Sequence, residues 1–526
     1  MSEGDKDLTT TTVKDVKQLG TFAAIGSLSY VFWICGGMEM VERLAFYGIY
    51  MTRGLYARAP VSEGGLGLDG GDIGIIFSIW ALVQSWVPVF TGGISDRLGY
   101  KESIFASTVL KIVGYLFMAW FASFWGFLAG AVVLAFGTGI FKPGIQGTIA
   151  MVTSRKNSSV AWGIFYQTVN IGGFLGPIVA GMMRQMSWDN VFYACAAIIS
   201  LNFILLLTYK EVGKDERLER KARIASGEEV QVPLWKDALK ELSNPLLIRY
   251  MVLFTGFWFM LYIYWDLVPL YFDDWVDTRT IVSTLWGNDQ PSTFAIRFWV
   301  MDDAGTHILP EGLNNLNALM IMTICFLVTG FSARLKAVNS MAIGTFLAAF
   351  AIIIFGYTNL AWIMIGAIMI FSLGEMLSSP KFLEYMGNIA PDGKKAMYLG
   401  FSQLPLGIGW TLEGYIGQKF YGEYAAKDAI SRLELADLGW TQAAIDAVPN
   451  GEAFKTLLTT SSLDAHQLTQ QLYANHEIGT LFYAMASVGM IAALGLYFFG
   501  KWTYKYAAET NPETIEEPLT EVKPAE

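Results

Sequence analysis

Residues 28–51 read L-S-Y-V-F-W-I-C-G-G-M-E-M-V-E-R-L-A-F-Y-G-I-Y-M, long enough to cross a bilayer as one helix. This apolar stretch nevertheless carries Glu39, Glu42 and Arg43 near its middle. A charge at that depth costs about 2.5–3.5 kcal/mol or more on insertion scales, so such residues commonly face a wet cavity and mark a substrate or ion path. The stretch therefore predicts a membrane helix with a functional polar face.

At the helical period, one face of this helix forms a polar stripe. Its members are Glu39, Glu42, Arg43, Phe46, Tyr50 and Arg53. We expect this stripe to run from mid-membrane towards one mouth of a cavity. The alternative is a structural ion pair, because Glu39 and Arg43 have the i,i+4 spacing at which helical side chains neutralise each other. Apolar residues would satisfy a purely structural helix more simply.

Composition indicates an integral membrane protein. The 526 residues are 53% hydrophobic and 16% charged, against about 25% charged in typical soluble domains. The net charge of −10 argues against a nucleic-acid partner. The three cysteines and three histidines have no metal-site or disulfide spacing, so we predict no metal and no cofactor.

Hydropathy predicts an all-α fold with twelve membrane-spanning helices in two groups of six. The stretches are 28–51, 72–94, 103–121, 125–151, 160–185, 189–209, 249–272, 314–333, 338–356, 361–385, 395–419 and 478–501. The predicted domains are an N-terminal segment (1–27), a six-helix bundle (28–209), a charged linker (210–248), a second bundle (249–502) and a tail (503–526).

Lysine and arginine are concentrated in alternate connections, which predicts that both termini are cytoplasmic. The basic connections contain Arg97, Lys101, Arg155, Lys156, the linker, Arg334, Lys336, Lys394, Lys395, Lys501 and Lys505. Two long outer loops are expected at 274–313 and 420–477, the second with short surface helices.

A short repeat relates the two groups. Residues 93–98 read G-I-S-D-R-L and residues 330–335 read G-F-S-A-R-L, so four of six positions are identical. Both follow the second stretch of their group. Parallel six-helix halves with a site between them are a known transporter design.

Residues 92–101, G-G-I-S-D-R-L-G-Y-K, resemble the cytoplasmic signature loop of the major facilitator superfamily. The glycines allow close helix approach. The resemblance predicts that Gly93, Asp96 and Arg97 latch one conformation. An ordinary cytoplasmic loop is the alternative.

Four further segments resemble the proton-dependent oligopeptide transporters, a branch of that superfamily. Residues 39–48 are similar to its first-helix signature E-x-x-E-R-F-x-Y-Y-G, and residues 137–143 to its G-T-G-x-x-K-P. Residues 165–172 are similar to F-Y-x-x-I-N-x-G-S. Residues 374–380, followed by I-A-P at 389–391, resemble G-E-L-x-x-S-P with a downstream A-P.

The resemblance implies a proton-coupled symporter of peptides or peptide-like zwitterions that works by alternating access. It also implies a bacterial inner-membrane location, and we expect a monomer. The proton gradient would supply the energy in place of a cofactor.

A zwitterion needs a cation for its carboxylate and an anion for its amine inside a cavity. Lys142 on the first half and Glu375 on the second offer such a pair, although either residue has a structural alternative. The predicted substrate-binding residues are Tyr47, Tyr50, Arg53, Lys142, Tyr166, Asn170 and Glu375. Aromatic residues expected near these charges are Phe46, Tyr47, Tyr50, Tyr166, Trp258, Tyr262 and Trp410.

Proton coupling needs a carboxylate whose protonation responds to its surroundings. Glu39 and Glu42 beside Arg43 have that chemistry. In the resembled family an acidic residue on the seventh helix helps couple protonation to gating, and Asp266 is the candidate here. The alternative for Asp266 is a helix-end charge near the outer surface.

The sequence departs from the family pattern at its substrate side. The usual arginine after Y-Y-G is Tyr50, with Arg53 one turn further on, and the first tyrosine is Phe46. The pattern G-x-x-x-G-P-x-x-x-G at residues 172–181 is similar to that of drug/proton antiporters, where small residues would pack the halves together. Efflux of an amphipathic compound by proton antiport is therefore the alternative function.

A non-transporting receptor or scaffold that keeps the fold is a third possibility. An enzyme is not expected, because the chain has no nucleophile–base pair or metal-ligand cluster. It also lacks a nucleotide-binding loop.

Overall fold

The computed structural model describes residues 21–154, 157–226, 242–243, 245–332, 335–388 and 401–510. Across these ranges the regular structure is helical, apart from an isolated antiparallel bridge between Met301 and Ile308.

Six long helices form the first half. The helices up to residue 207 are α1 (Thr21–Gly26), α2 (Tyr30–Arg58), α3 (Gly70–Leu98), α4 (Tyr100–Trp120), α5 (Phe124–Val152), α6 (Ser158–Arg184) and α7 (Trp188–Leu207). Polar N-caps set several of their starts, because each accepts a hydrogen bond from an otherwise unpaired backbone N–H. Ser29, Asp69, Ser123 and Ser187 fill this role for α2, α3, α5 and α7.

A second set of six long helices follows the connecting helix α8 (Lys214–Ala225). They are α9 (Pro245–Asp266), α14 (Leu316–Ser332), α15 (Ala337–Tyr357), α16 (Ala361–Asn388), α17 (Gln403–Tyr424) and α22 (Thr480–Thr510). The twelve-helix all-α prediction is confirmed.

The long connections of the second half are themselves helical. Between α9 and α14 lie α10 (Val268–Trp275), α11 (Arg279–Trp286), α12 (Thr293–Phe298) and α13 (Pro310–Asn314). Between α17 and α22 lie α18 (Lys427–Asp437), α19 (Gln442–Asp446), α20 (Ala453–Thr460) and α21 (Ala465–Asn475). We call the end of the molecule that holds these connections the loop side. The opposite end, which holds the α7–α9 connection, is the linker side.

Eight helical segments in the described part of the chain are long and apolar enough to cross a membrane. They are Gly70–Pro88, Tyr100–Trp120, Phe124–Val152, Trp188–Leu207, Leu247–Trp275, Ala337–Tyr357, Ala361–Phe382 and Thr480–Thr503. The helix α2 is not among them, because its buried charged side chains lower its mean hydropathy. Helix composition and fold together define an integral membrane protein.

Each half has its own hydrophobic core. Phe127, Leu134 and Phe192 are fully buried in the first half. Tyr264 and Phe371 stack at 4.1 Å between ring centroids in the second. Leu55 of α2 also packs into the second-half core, and Trp410 of α17 packs into the first-half core.

Glycines bring α6 directly against α2. A Cβ atom at Gly172 would lie 2.5 Å from the Met40 carbonyl oxygen, and one at Gly176 would lie 2.7 Å from that of Leu44. This corrects the expectation that the whole 172–181 pattern packs the halves together, because Gly172 and Gly176 pack within the first half. Gly181 does face the second half, at Val300.

Helices α3 and α17 make the close contact between halves. A Cβ atom at Gly70 would lie 2.4 Å from the Gln418 carbonyl oxygen, and one at Gly74 would lie 3.0 Å from that of Tyr415. Ser78 donates a hydrogen bond to the Thr411 carbonyl at 2.8 Å. These contacts hold the halves together from the loop side towards the middle.

Some predicted features lie outside the described residues. Helix α3 includes Gly93 and ends at Leu98, where Gly99 has a φ of 126°, but the side chains of Asp96 and Arg97 are not described. The latch therefore stays a prediction. The I-A-P at 389–391 and the basic residues Arg155, Lys156, Arg334, Lys394 and Lys395 also lie outside the described ranges.

Candidate functional site

A cavity of about 850 Å³ lies between the two halves. On the linker side its lining includes Gly163 and Gln403, which lie near the start of α6 and α17. Deeper in, it ends at Tyr50, Trp265 and Trp410. All seven aromatic residues singled out from the sequence line it: Phe46, Tyr47, Tyr50, Tyr166, Trp258, Tyr262 and Trp410.

A charged cluster supports the first-half wall of this cavity. We call it the first-half cluster: Glu39, Glu42, Arg43, Lys111 and Lys142. Arg43 contacts both glutamates, with Nε 3.3 Å from Glu39 Oε1. The Nζ atom of Lys111 lies 2.5 Å from Glu42 Oε1, and that of Lys142 lies 2.8 Å from Glu39 Oε1. Three cations against two carboxylates leave one positive charge, and Arg43 itself lines the cavity.

Sequence reasoning missed Lys111. It projects from α4, is 1% exposed and places its Nζ 4.2 Å from the centre of the Phe141 ring. A lone lysine in an apolar stretch was the available signal, since buried membrane charges are expected to be paired or functional.

Glu375 stands on the second-half wall. It projects from α16 into the cavity and accepts a hydrogen bond from Asn317 Nδ2 at 3.0 Å. Among the described residues it has no ion-pair partner. The predicted opposition of Lys142 and Glu375 is modified, because Lys142 binds Glu39 and Arg43 is the cation on the cavity surface.

Some of the other predicted substrate residues line the cavity and some do not. Tyr47, Tyr50 and Tyr166 line the cavity. Asn170 donates a hydrogen bond to the Tyr166 carbonyl at 2.8 Å, and neither it nor Arg53 lines the cavity in this conformation.

Arg53 and Asp266 join the halves at the inner end of the cavity. Arg53 Nη2 lies 2.5 Å from Asp266 Oδ1, which also accepts from Tyr50 Oη at 3.0 Å. Trp410 Nε1 donates to Asp266 Oδ2 at 3.2 Å. The fully buried Glu413, another residue missed from the sequence, lies beside this pair. We call Tyr50, Arg53, Asp266, Trp410 and Glu413 the seal cluster.

The seal cluster is buried, and this bears on two expectations from the sequence: where the polar stripe of α2 ends, and whether Asp266 is a surface charge. Arg53 is 1% exposed, with its guanidinium carbon 4.0 Å from the ring centres of both Tyr50 and Phe77. The polar stripe of α2 thus ends in a closed contact, where we had expected a mouth. Asp266 does end its helix, but it is a buried ion-pair partner and not a surface charge.

Further ion pairs close the loop side beyond the seal cluster. Arg58 contacts both Asp273 and Asp274, and Arg184 Nε lies 2.9 Å from Glu311 Oε1. Each pair joins the two halves. Nearby, burial lowers the pKa of Lys427, although Asp274 opposes this effect. A guanidinium stays protonated under all physiological conditions, so Arg58 supplies a permanent positive charge in this group of loop-side ion pairs.

The described ranges hold no group of three or more His, Cys, Asp or Glu side chains arranged to bind a metal. The expectation of no metal and no cofactor stays a prediction.

A charged cavity between two six-helix halves, closed towards one side of the membrane, is typical of membrane transporters. The family model for the Major Facilitator Superfamily matches residues 44–412, more than half of the chain. The chain belongs to this superfamily.

Two curated proteins are similar to shorter parts of the chain. The uncharacterized transporter YclF of Bacillus subtilis is 26% identical over 189 residues, which cover 35% of this chain and 38% of YclF. The quinolone resistance protein NorA of Staphylococcus aureus is 31% identical over 146 residues, 28% of this chain and 38% of NorA. The chain thus aligns with less than two thirds of either relative.

Solved structures with this fold include peptide transporters. A POT family transporter in complex with 5-aminolevulinic acid matches 93% of this chain and 99% of its own, with a TM-score of 0.64 and 16% identity. Tetrameric PepTSo2 matches 90% of this chain and 98% of its own, with a TM-score of 0.60 and 18% identity. At these identities the likeness concerns the fold.

Proposed function

We propose that this protein is a proton-coupled symporter of peptides or peptide-like zwitterions that works by alternating access. The observation that carries the proposal is the opposite charge of the two cavity walls. Arg43 presents the net positive first-half cluster on one side, and Glu375 stands on the other without an ion-pair partner among the described residues. A zwitterion is complementary to that arrangement.

In this model the substrate carboxylate binds Arg43 and the substrate amine binds Glu375. Tyr47, Tyr50 and Tyr166 line the space for side chains. The volume of about 850 Å³ falls within the range of about 300–1,000 Å³ for small-molecule sites. Arg53, Lys142 and Asn170 do not line the cavity in this conformation. They would contact the substrate in another conformation or affect binding through the residues that they contact here.

Proton coupling is assigned to Glu39, Glu42, Arg43 and Asp266. Each carboxylate is buried and paired with a cation, so loss of the pairing on conformational change would favour proton uptake. Asp266 pairs across the halves, so its partner is lost when the loop side opens.

Family resemblance and fold support the same substrate class. The signature segments of α2, α5, α6 and α16 resemble those of the oligopeptide transporters, and a structure of a POT family transporter holds the zwitterion 5-aminolevulinic acid. Tyr50 in place of the usual arginine favours substrates other than ordinary dipeptides.

The test is uptake into proteoliposomes driven by a pH gradient, in competition with a panel of di- and tripeptides and amino-acid derivatives. Glu375→Gln should lower accumulation by about 10–100-fold, because it removes a charge-assisted hydrogen bond to the substrate amine worth about 1.5–3 kcal/mol. Lys142→Ala should lower accumulation as well, because Glu39 loses its lysine and Arg43 is drawn towards Glu39, away from the substrate carboxylate. Glu423→Gln, on the exposed surface of α17, is the control. Unimpaired accumulation in both site variants would contradict the binding model.

Proton-driven efflux of an amphipathic compound is the second candidate. The similarity to NorA and the aromatic lining of the cavity favour it. The direction of substrate movement in inside-out vesicles distinguishes the two: accumulation in vesicles with an acidic interior, driven by protons that leave the vesicle, indicates antiport out of the cell.

Location and assembly complete the proposal. Lysine and arginine placement supports cytoplasmic termini, the family resemblance supports a bacterial inner membrane, and we propose a monomer. Protease protection of terminal tags in spheroplasts and light scattering in detergent would test these two assignments.

A further inference from the structure

Glu413 is a buried carboxyl group with no assigned role. It projects from α17 in the sequence W-T-L-E-G-Y and is 0% exposed. Among the described residues, neither of its carboxyl oxygens receives a hydrogen bond. Its neighbour is the Asp266 carboxylate, with Arg53 close by. An ionised carboxylate in such a place would be a buried charge without a partner, which is strongly unfavourable.

Asp266, in contrast, receives several hydrogen bonds. Its carboxylate accepts from Tyr50, Arg53 and Trp410, and Gln418 donates to its backbone carbonyl at 3.1 Å. These side-chain donors, one of them a guanidinium, suit a carboxylate better than a neutral acid. Arg53 therefore selects Asp266 as the carboxylate of the pair.

The charges around Glu413 leave one negative charge in excess. From α2 come Arg53 and Tyr50, from α9 come Asp266 and Tyr262, and α17 adds Trp410 and Gln418. From the described side chains of α3 come the aromatic rings of Phe77 and Trp80, which lie around Arg53. Arg53 is thus the one cation that the described residues bring to two carboxyl groups. One proton would balance the cluster.

We propose that Asp266 and Glu413 form a carboxyl pair that binds a single shared proton, with Glu413 as the protonated member when the loop side is closed. The Glu413 hydroxyl then donates to the Asp266 carboxylate, which satisfies both buried groups. This inference extends the proposed proton coupling, because it names the site where the transported proton is held at the junction of the halves.

Gly417 shapes this site. A Cβ atom at position 417 would lie 2.4 Å from Glu413 Oε1 and 3.2 Å from Leu267 Cδ1. Because Gly417 has no side chain, the Glu413 carboxyl group can occupy the space beside it, one helical turn along α17.

Opening of the loop side would expose the pair to protons. Arg53 belongs to the first half, whereas Asp266 and Glu413 both belong to the second and stay together. When Arg53 withdraws, the pair takes one proton from the loop-side solution. On closing, Arg53 binds Asp266, the O–H bond to Asp266 breaks, and an O–H bond to Glu413 forms. The proton that moves to Glu413 is the one taken from the loop-side solution, so the step needs no other atom and no electron transfer.

Thermal unfolding in detergent between pH 5 and pH 8.5 tests the shared proton without any substrate. A free glutamate in the unfolded chain ionises near pH 4.3, so a proton kept by the folded pair makes the wild-type melting temperature fall as pH rises. The fall should be on the order of 1 °C per pH unit. Glu413→Gln mimics the protonated acid and should melt like the wild type at pH 5, with a weaker pH dependence. Glu423→Gln, exposed on the same helix, should keep the wild-type slope.

The inference is overturned if wild type and Glu413→Gln have the same slope, or if Glu413→Gln unfolds more easily than wild type at pH 5. Its transport role is tested separately, with the panel peptide that the wild type accumulates best. Glu413→Gln should lower gradient-driven accumulation by at least about tenfold, and normal accumulation would overturn that role. If the wild type accumulates no panel compound, proton-coupled peptide symport fails as the proposed function, while the melting comparison still decides the shared proton.

Discussion

Lys111 and Glu413 each stand alone among apolar residues, in T-V-L-K-I-V-G-Y and W-T-L-E-G-Y. Charges inside membrane helices face a partner or a wet cavity. This holds for Lys111 and Glu413 as it does for Glu39 and Arg43. Lys111 and Glu413 were missed because neither falls in a recognisable motif. Their partners come from other helices, so the pairing of Lys111 with Glu42 appears only in the folded chain.

Replacement of Lys111 by Met should destabilise the protein. Lys111 is 1% exposed and shares Glu42 with Arg43, so its loss leaves a buried carboxylate short of one cation. Breaking a buried pair costs about 3–5 kcal/mol, and the remaining contact with Arg43 places the expected loss at the lower end. Thermal unfolding in detergent measures it.

The matched variants are Lys455→Ala, which removes an exposed lysine in α20, and the double variant Lys111→Met/Glu42→Gln. The exposed change should be neutral. The double variant should be more stable than Lys111→Met alone, because it removes the unpaired charge as well. A Lys111→Met protein as stable as wild type would show that this ion pair does not support the fold.

At the scale of helices, hydropathy predicted where the spans lie, and cap chemistry accounts for several of their starts. The apolar span was predicted to end at Met51, with Arg53 on the same helical face, and the helix continues to Arg58, about two turns past Met51. Tertiary packing explains the extra length. Arg53 and Tyr56 are buried against other helices, and such contacts cannot be detected from the hydropathy of the sequence. The same limit applies to the glycines of α6, whose partners could not be read from their spacing.

Gly176→Ala should loosen the contact between α6 and α2. The new Cβ atom would meet backbone atoms, 2.7 Å from the Leu44 oxygen and 2.9 Å from the Gly48 nitrogen, which cannot rotate away. Overpacking of this kind costs about 1–3 kcal/mol. Gly163→Ala on the same helix is the control, because no atom lies within 4 Å of the added Cβ. Equal melting temperatures for the two variants would refute the close approach of these helices.

At the scale of the whole molecule, the sequence indicated two halves and a cavity with charged and aromatic walls. It did not indicate which end is closed, because both conformations of an alternating-access transporter are formed by the same residues. The contacts of Arg53 and Arg58 with acidic residues of the second half close the loop side here. Arg53 had been predicted to contact substrate, and this closed conformation instead places it beyond the cavity.

A covalent link across the loop side should stop transport. Ser62 and Glu452 belong to different halves and are joined by a side-chain hydrogen bond at the surface. In a chain with Cys325 replaced by Ser, the pair Ser62→Cys and Glu452→Cys should react with a short reducible dithiol crosslinker. Uptake should fall to background and return on reduction. Each single cysteine variant serves as the control, and full activity in the linked protein would mean that the loop side need not open.

The burial of Arg53 among aromatic rings has a consequence for the membrane's stored energy. A carrier driven by a gradient must not let hydronium or metal cations slip through its closed gate, because every such passage discharges the membrane. A fixed guanidinium lies between the rings of Tyr50 and Phe77 and is ion-paired with Asp266. It occupies the closed contact and offers these cations no ligand, because a guanidinium has only hydrogen-bond donors. Arg53 therefore joins the two halves and also prevents cations from leaking through the closed loop side.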